Sequence, residues 1–267
     1  MIKIIKYLLV VCVLSLTDNL YAFNNEEQQE KEAQFAHWGP AENHHGMGCL
    51  FRLGFALGGT SPLPIPQEIR SINKFRPEGG LSIGVDGFKL FNRQWGIMTG
   101  LRFFIEGMYT EANVKNYKMS IAMDNEVLKG HFTGTDVTET KMTGLTIPFL
   151  AIYRVSPRWT FNLGPYISYH TSHSFKGSVY NGYLRENDPT GQKINISSDN
   201  PATYDFSEDM RNFFWGLEFG FDCRVRNHLN VFGMVDWGLN GAFQSDFNTI
   251  AFTMYPIYAT FGLAYYY

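Results

Sequence analysis

Beyond residue 48 the chain alternates apolar and small or polar residues with a period of two. That period sends successive side chains to opposite faces of a strand. The clearest instance is the closing stretch. Ile257, Ala259, Phe261, Leu263, Tyr265 and Tyr267 oppose Tyr258, Thr260, Gly262, Ala264 and Tyr266. Seven further stretches keep the same parity. They start at Cys49-Leu50-Phe51-Arg52-Leu53 and recur over about 80–91, 95–110, 144–155, 159–170, 213–225 and 229–240. Three connections, at 92–94, 156–158 and 227–228, are short. The segments near 59–78, 111–140 and 171–211 are long, and one near 241–251 is shorter. Short turns at one rim and long loops at the other predict an all-β fold: an eight-stranded antiparallel up-and-down transmembrane β-barrel, with long extracellular loops and short periplasmic turns. An even strand count puts both termini at the periplasmic rim.

The direction of the alternation follows from size. The apolar face carries Trp95, Trp159, Trp215, Trp237 and many Phe, Tyr and Leu residues. An eight-stranded interior has room for few such side chains. Exposed to water, a patch of this extent would aggregate. It therefore faces lipid. Its aromatics gather toward strand ends. Trp95, Tyr153, Trp159, Tyr265 and Tyr267 form one predicted girdle; Tyr109, Tyr169, Trp215 and Trp237 form the other. The inward face is rich in Gly, Ser and Thr, with Arg52, Arg102, Arg154 and Arg224 set against Asp86, Glu106, Glu218, Asp222 and Asp236. Signs this nearly balanced predict arginine–carboxylate pairing in a closed lumen, rather than the single-sign ring of a selective pore. Asp86 and Arg102 should be neighbours across the hairpin at 92–94.

Composition agrees with a barrel: 16% aromatic, 26 glycines and only 18% charged residues. A net charge of −3 gives no reason to expect nucleic acid. Lys3 and Lys6 precede an apolar run at Tyr7–Leu16, too short for a spanning helix, so residues 1–22 read as a cleaved signal peptide ending at Ala22. Residues 23–48 read as a periplasmic leader, with Asn25 and Gln28 capping a short helix, and residues 49–267 as the barrel. Cys49 and Cys223 point outward from non-adjacent strands, so no disulfide is expected. His44, His45, Met47 and Cys49 are too crowded along the chain for metal geometry, and the acidic turn Glu186–Gly191 has too few spaced carboxylates for calcium. No metal or cofactor is expected. In the first loop, Ile65, Ile69 and Ile72 share a helical face and suggest a lid helix over the mouth.

Several stretches together resemble the PorT-like outer-membrane β-barrel family of Bacteroidota. They are Gly59–Ile72, Thr110–Asn116, Leu163–Tyr169, Val179–Arg185, Asp188–Gly191, Tyr204–Ser207 and Met254–Tyr258, spread over roughly residues 49–267. The resemblance implies an eight-stranded barrel in the outer membrane of a Gram-negative cell and transfers no catalytic residue. Its partners would be outer-membrane lipids and lipopolysaccharide, the barrel-assembly machinery during biogenesis, and an unidentified secretion or surface partner. The leading expectation is a non-enzymatic barrel of structural, surface-binding or secretion-accessory type. Two alternatives stand beside it. One is a narrow pore for small solutes or ions. The other is a lipid A-modifying barrel enzyme using His170 or His173 with Ser168, Ser172 or Ser174, for which no nearby acid is evident to orient the imidazole.

Overall fold

A computed structural model describes residues 47–123 and 126–267. They form ten strands: β1 (Met47–Pro62), β2 (Ile69–Leu90), β3 (Trp95–Met123), β4 (Glu126–Arg154), β5 (Trp159–Glu186), β6 (Lys193–Ile196), β7 (Ala202–Asp205), β8 (Phe213–Arg226), β9 (Leu229–Gly238) and β10 (Met254–Tyr266). Eight close into a ring in the order β2-β1-β10-β9-β8-β5-β4-β3, with β2 returning to β3. Every pairing is antiparallel. β6 and β7 lie off the ring against β5. The signal segment and nearly all of the leader fall outside the described residues; β1 begins at Met47, two residues ahead of the expected boundary.

The register fixes the shape of the ring. From Trp95 on β3, successive partners are Tyr153, Phe161, Phe221, Gly233, Phe261, Phe55, Leu81 and finally Ile105, again on β3. The path returns ten residues above its start. A shear of that size over eight strands tilts them by roughly 40° and gives a radius of about 8 Å, a lumen that side chains can fill. Each residue then climbs about 2.5 Å along the axis, and each step between strands about 3 Å. On this ladder Trp95, Tyr153, Trp159, Tyr265 and Tyr267 cluster at the short-turn rim. Tyr169, Trp215 and Trp237 fall about 22–26 Å higher, which matches the apolar band of an outer-membrane barrel. Tyr109 does not belong with them. It lies about 10 Å above that girdle and packs under Arg76, whose guanidinium carbon is 4.8 Å from the ring centroid.

Local chemistry makes the short turns. Asn92 Oδ1 accepts from the backbone N–H groups of Gln94 at 2.9 Å and Trp95 at 2.7 Å, and Ser156 Oγ accepts from that of Trp159 at 3.1 Å. At the other rim the strands do not stop. β3 and β4 have 29 residues each and β5 has 28, against the roughly ten that suffice to cross a membrane. β3 and β4 continue as a hairpin through Val114–Thr133, though its tip lies outside the described residues, and β5 likewise continues through Phe175–Leu184. The second strand starts at Ile69, not near residue 80, and the lid helix does not form. Ile69 and Ile72 pair instead with Val114 and Ala112 of β3, because a sheet edge was available to satisfy their backbone groups.

Above the girdle β7 closes this tall sheet into a cap. It pairs with β5 through Lys176–Val179 and meets β3 at Ala122↔Thr203. Inside lies a core that includes Tyr117, Phe132, Phe175, Val179, Leu184, Tyr204, Phe206 and Phe243. Cys49 and Cys223 are both free and on the outer face, as expected.

The β1–β10 seam ends in specific contacts. The Tyr266 N–H donates to the His228 carbonyl at 2.8 Å and the Tyr267 N–H to that of Cys49 at 3.1 Å, while the Tyr266 ring meets Phe88 edge-on at 5.5 Å. Deleting Tyr265–Tyr267 should prevent closure of the ring, seen as loss of heat-modifiable mobility on gels; a truncated chain that keeps this mobility would show the seam closes without them.

Candidate functional site: a bridged lumen and a folded cap

Two arginines cross the lumen. Arg52 on β1 donates from Nε to Asp86 and, through Nη1 and Nη2, to both oxygens of Asp222 at 2.9 Å each. Arg102 on β3 grips Asp86 through Nε at 3.0 Å and Nη2 at 2.8 Å, and reaches Glu218 through Nη1 at 2.8 and 2.9 Å. β8, which carries Glu218 and Asp222, stands three strands from β1 and three from β3. The network therefore spans the interior rather than lining one wall. Its members are essentially sealed: Asp86 is 0% exposed, Glu218 1%, Arg102 3% and Arg52 4%. Glycines make the room. A Cβ at Gly84 would strike the Arg102 side chain, and one at Gly100 the Asp86 carboxylate.

The pairing expected between Asp86 and Arg102 is present, but the expected nine-member network is not. Five residues join it: Arg52, Asp86, Arg102, Glu218 and Asp222. Arg154 and Arg224 sit at the short-turn rim, where Arg224 stacks over Tyr266 at 5.3 Å and its Nε lacks a partner. Glu106 and Asp236 lie on the other side of the network, and neither forms an ion pair among the described residues. Asp236 is in direct register with Glu218, and its Oδ1 has no hydrogen-bond partner. For Arg154, Arg224 and Glu106 the physical reason is height: parity along each strand tells which side chains face inward, but depth in the ring depends on the shear, which puts the two arginines about 25 Å below Glu106. Asp236 stands beside Glu218, whose carboxylate already takes Arg102.

The lumen is also less polar than its small residues suggested. Below the network, Leu50, Phe88, Met98, Leu150, Ile152 and Tyr266 pack as an apolar layer. Above it, Phe104, Met142, Phe214 and Tyr258 join the core of the cap. On β2, β3, β8 and β10 these large side chains are separated by glycines and polar residues along the inward face, so the layer is shared among strands and is not displayed by one.

The residues considered for hydrolysis are not assembled. His170 is stacked on Phe214 at 4.1 Å and meets Phe104 edge-on at 5.1 Å, and its Nδ1 has no partner. Ser168 Oγ donates to the Leu145 carbonyl at 3.2 Å and accepts from Thr146 Oγ1 at 3.1 Å. His173 Nε2 is 2.7 Å from Asn212 Oδ1. Among the described residues no set of three or more His, Cys, Asp or Glu side chains converges as metal ligands. His44 and His45 lie outside the described residues.

The cap contains a polar feature that the alternation did not reveal. Asp136 on β4 is buried, and its Oδ1 accepts from the Tyr204 hydroxyl of β7 at 2.9 Å. Thr138 Oγ1 lies 2.8 Å from the same hydroxyl. Burial pushes the Asp136 carboxyl from its ordinary 3.8 up to about 7, against the opposing effect of those hydrogen bonds. Its pull on the chain is therefore pH-dependent.

A closed ring of eight strands, a lipid-sized apolar band between aromatic girdles and an interior lined by packed side chains together define a transmembrane β-barrel of the outer-membrane type. The chain belongs to the family described as the outer membrane protein beta-barrel domain, whose model matches residues 28–244. No curated protein matches it in sequence. Among solved structures it is similar to the attachment invasion locus protein Ail of Yersinia pestis, with 10% identity, a TM-score of 0.35, 83% of this chain and 99% of that one covered. It is similar also to CarO2 of Acinetobacter baumannii, at 12% identity and a TM-score of 0.37 over 82% of this chain and 99% of that one. OprG of Pseudomonas aeruginosa gives 12% identity and a TM-score of 0.27 over 82% and 95%.

Two expectations follow. Asp86→Asn leaves two buried guanidiniums short of charge and should destabilise the barrel by about 3–5 kcal/mol in urea unfolding, whereas Arg224→Gln at the rim should cost about 1 kcal/mol or less. In the cap, a carboxyl whose folded pKa is raised stabilises the protonated fold. Its contribution is complete below about pH 4, falls as pH rises to about 7, and is then constant, a total on the order of 4 kcal/mol. Hydrogen exchange of residues 202–206 should therefore quicken between pH 5 and pH 8 after correction for intrinsic rates, and Asp136→Asn should flatten that dependence.

Proposed function

We propose that this outer-membrane barrel is non-conducting and non-enzymatic, and that its cap is the working surface, presented outside the cell while the short turns and both chain ends face the periplasm. The observation that carries this reading is the crossing of the lumen by Arg52 and Arg102 between two apolar layers. A narrow pore needs a continuous polar path, and here a solute would have to break five buried charges apart and pass packed Phe and Met side chains. A lipid-modifying enzyme needs a nucleophile within reach of an oriented base, and His170 is clamped between rings instead. Unpaired buried backbone is too costly to thread loops through lipid, so the tall sheet and the prolonged β3–β5 ladders make sense only as a structure in water.

The resemblance to PorT-like proteins of Bacteroidota supports a surface or secretion-accessory role, with outer-membrane lipids and lipopolysaccharide around the band and the assembly machinery acting during insertion. Comparing surface and secreted proteomes of a deletion strain tests that role: selective depletion of exported proteins is expected, and unchanged proteomes would remove it. For closure, purified protein inserted in planar bilayers should stay electrically silent while retaining heat-modifiable mobility. Stable unitary conductance steps would overturn it.

A further inference from the structure

The outer face of the cap carries an unusual row. Lys118 on β3 is in register with His131 on β4, His131 with Arg185 on β5, and Arg185 with Lys193 on β6. Three cationic side chains and a histidine therefore lie side by side across four adjacent strands, over roughly 14 Å at the usual strand spacing. Like charges placed directly opposite in a sheet are destabilising, so folding gives no reason for this arrangement. The bulges at Val114/Tyr117 and Thr133/Thr135 set the parity, which sends Met119, Phe132 and Leu184 inward and these four side chains out.

What distinguishes the row is the missing countercharge. Lower on the cap, Lys74 pairs with Glu111 at 3.6 Å, and Arg76 and Lys141 pair with Glu78 at 3.8 and 3.4 Å. Among the described residues no member of the row has an ion pair. Lys118 Nζ donates to the Asn248 carbonyl at 3.3 Å and Arg185 Nη1 to that of Gly191 at 3.2 Å, both neutral acceptors. Glu186 has the opposite parity. Asp188 is the carboxylate felt by His131, and its Oδ1 is already held by the N–H and hydroxyl of Thr190 at 2.7 Å each.

An aromatic ring adjoins the row. Tyr183, two residues from Arg185 on the same face of β5, has its ring centroid 4.4 Å from Lys193 Nζ and 5.7 Å from the Arg185 guanidinium carbon, and Thr133 and Asn195 flank it in register. Cations spaced along a line suit the repeating anions of a linear polymer. A ring with neighbouring hydroxyl and amide groups suits the faces and hydroxyls of sugars. We infer that the row Lys118–His131–Arg185–Lys193, with Tyr183, is a docking surface for an acidic polysaccharide bearing sulfate or carboxylate groups.

This inference takes from the proposed function only that the cap faces outward. The full chain in nanodiscs would be presented with heparin, chondroitin sulfate, neutral dextran and a single-stranded oligonucleotide in biolayer interferometry. Both sulfated glycans should bind at low salt and dextran should not, and moderate salt should weaken binding about tenfold or more. Lys118→Gln/Arg185→Gln/Lys193→Gln should weaken it at least about tenfold with heat-modifiable mobility intact, while Lys74→Gln/Arg76→Gln/Lys141→Gln should leave it unchanged. Failure of both glycans to bind, an equal loss in the lower triple variant, or an oligonucleotide held as tightly would each overturn the assignment. Binding in nanodiscs but not on intact cells expressing the protein would locate the failure in the orientation instead.

Discussion

Closure of the sheet is the constraint from which the rest of the molecule follows. In hydrocarbon no water is available to an open strand edge, and each unpaired amide costs several kcal/mol. The seam between β1 and β10 answers this with a continuous ladder from Leu50↔Tyr266 to Pro62↔Met254. Once eight strands close with a ten-residue stagger, the radius is set, and with it the amount of matter the interior must hold. The lumen cannot hold a water column alongside large side chains. It is therefore packed, and the packing decides what kind of barrel this is. Gly84 and Gly100 illustrate the dependence: each gives up its side chain where an arginine or its carboxylate partner must pass.

The same ladders cross from lipid into water, and the chemistry of their two faces changes as they do. On β4, Phe149, Ile147 and Leu145 face outward within the band, and Lys141 and Glu139 face outward above it. The inward side passes from Leu150 to Met142 and on to Phe132, all buried. Below the girdle the outside is apolar because its solvent is hydrocarbon. Above it the outside is polar, and the inside alone must supply the hydrophobic core. One set of strands thus obeys two opposite rules on either side of the outer girdle, and the cap folds as a soluble domain continuous with the membrane wall.

This inversion explains which features could be read from the alternation. Within the band the parity is strict and the outer face is uniformly apolar, so the eight strands, the short turns, the outward cysteines and the Asp86–Arg102 pair were all legible. Tyr109 keeps the parity of the girdle residues, and only the shear shows that it stands too high. Arg154, Arg224, Glu106 and Asp236 likewise share the inward parity of the network without joining it. In the cap the period is broken. The extra residue on β5 between His170 and Ser172, where the pairing shifts at Thr143/Gly144, moves the inward set from even to odd positions, so Phe175 and Val179 are buried where the lower parity would expose them. Asn181, at φ 51°, accompanies a second shift near Gly134 that restores the even set at Leu184. A reader of period two loses the strand at each bulge, and with it the Asp136–Tyr204 contact and the basic row.

The lumen network poses a question that stability alone does not answer. Removing ions from water costs several kcal/mol each, and well-packed apolar side chains of equal volume would hold the barrel together as firmly. What apolar packing cannot supply is direction. Arg52 and Arg102 have rigid forks that must meet carboxylates at the right depth on β8, which stands three strands from each of theirs. A one-residue slip of β3 would turn Arg102 toward lipid, leave Glu218 buried without a cation and leave Asp86 with Arg52 alone. The lipid-facing side chains, nearly all apolar, discriminate weakly between registers two residues apart. The charges discriminate strongly, because a one-residue slip of β1, β2, β3 or β8 turns at least one of them out of the network. On this argument the network sets the stagger, the stagger sets the height of every residue above it, and the alignment of Lys118, His131, Arg185 and Lys193 across the cap depends on contacts made deep in the membrane.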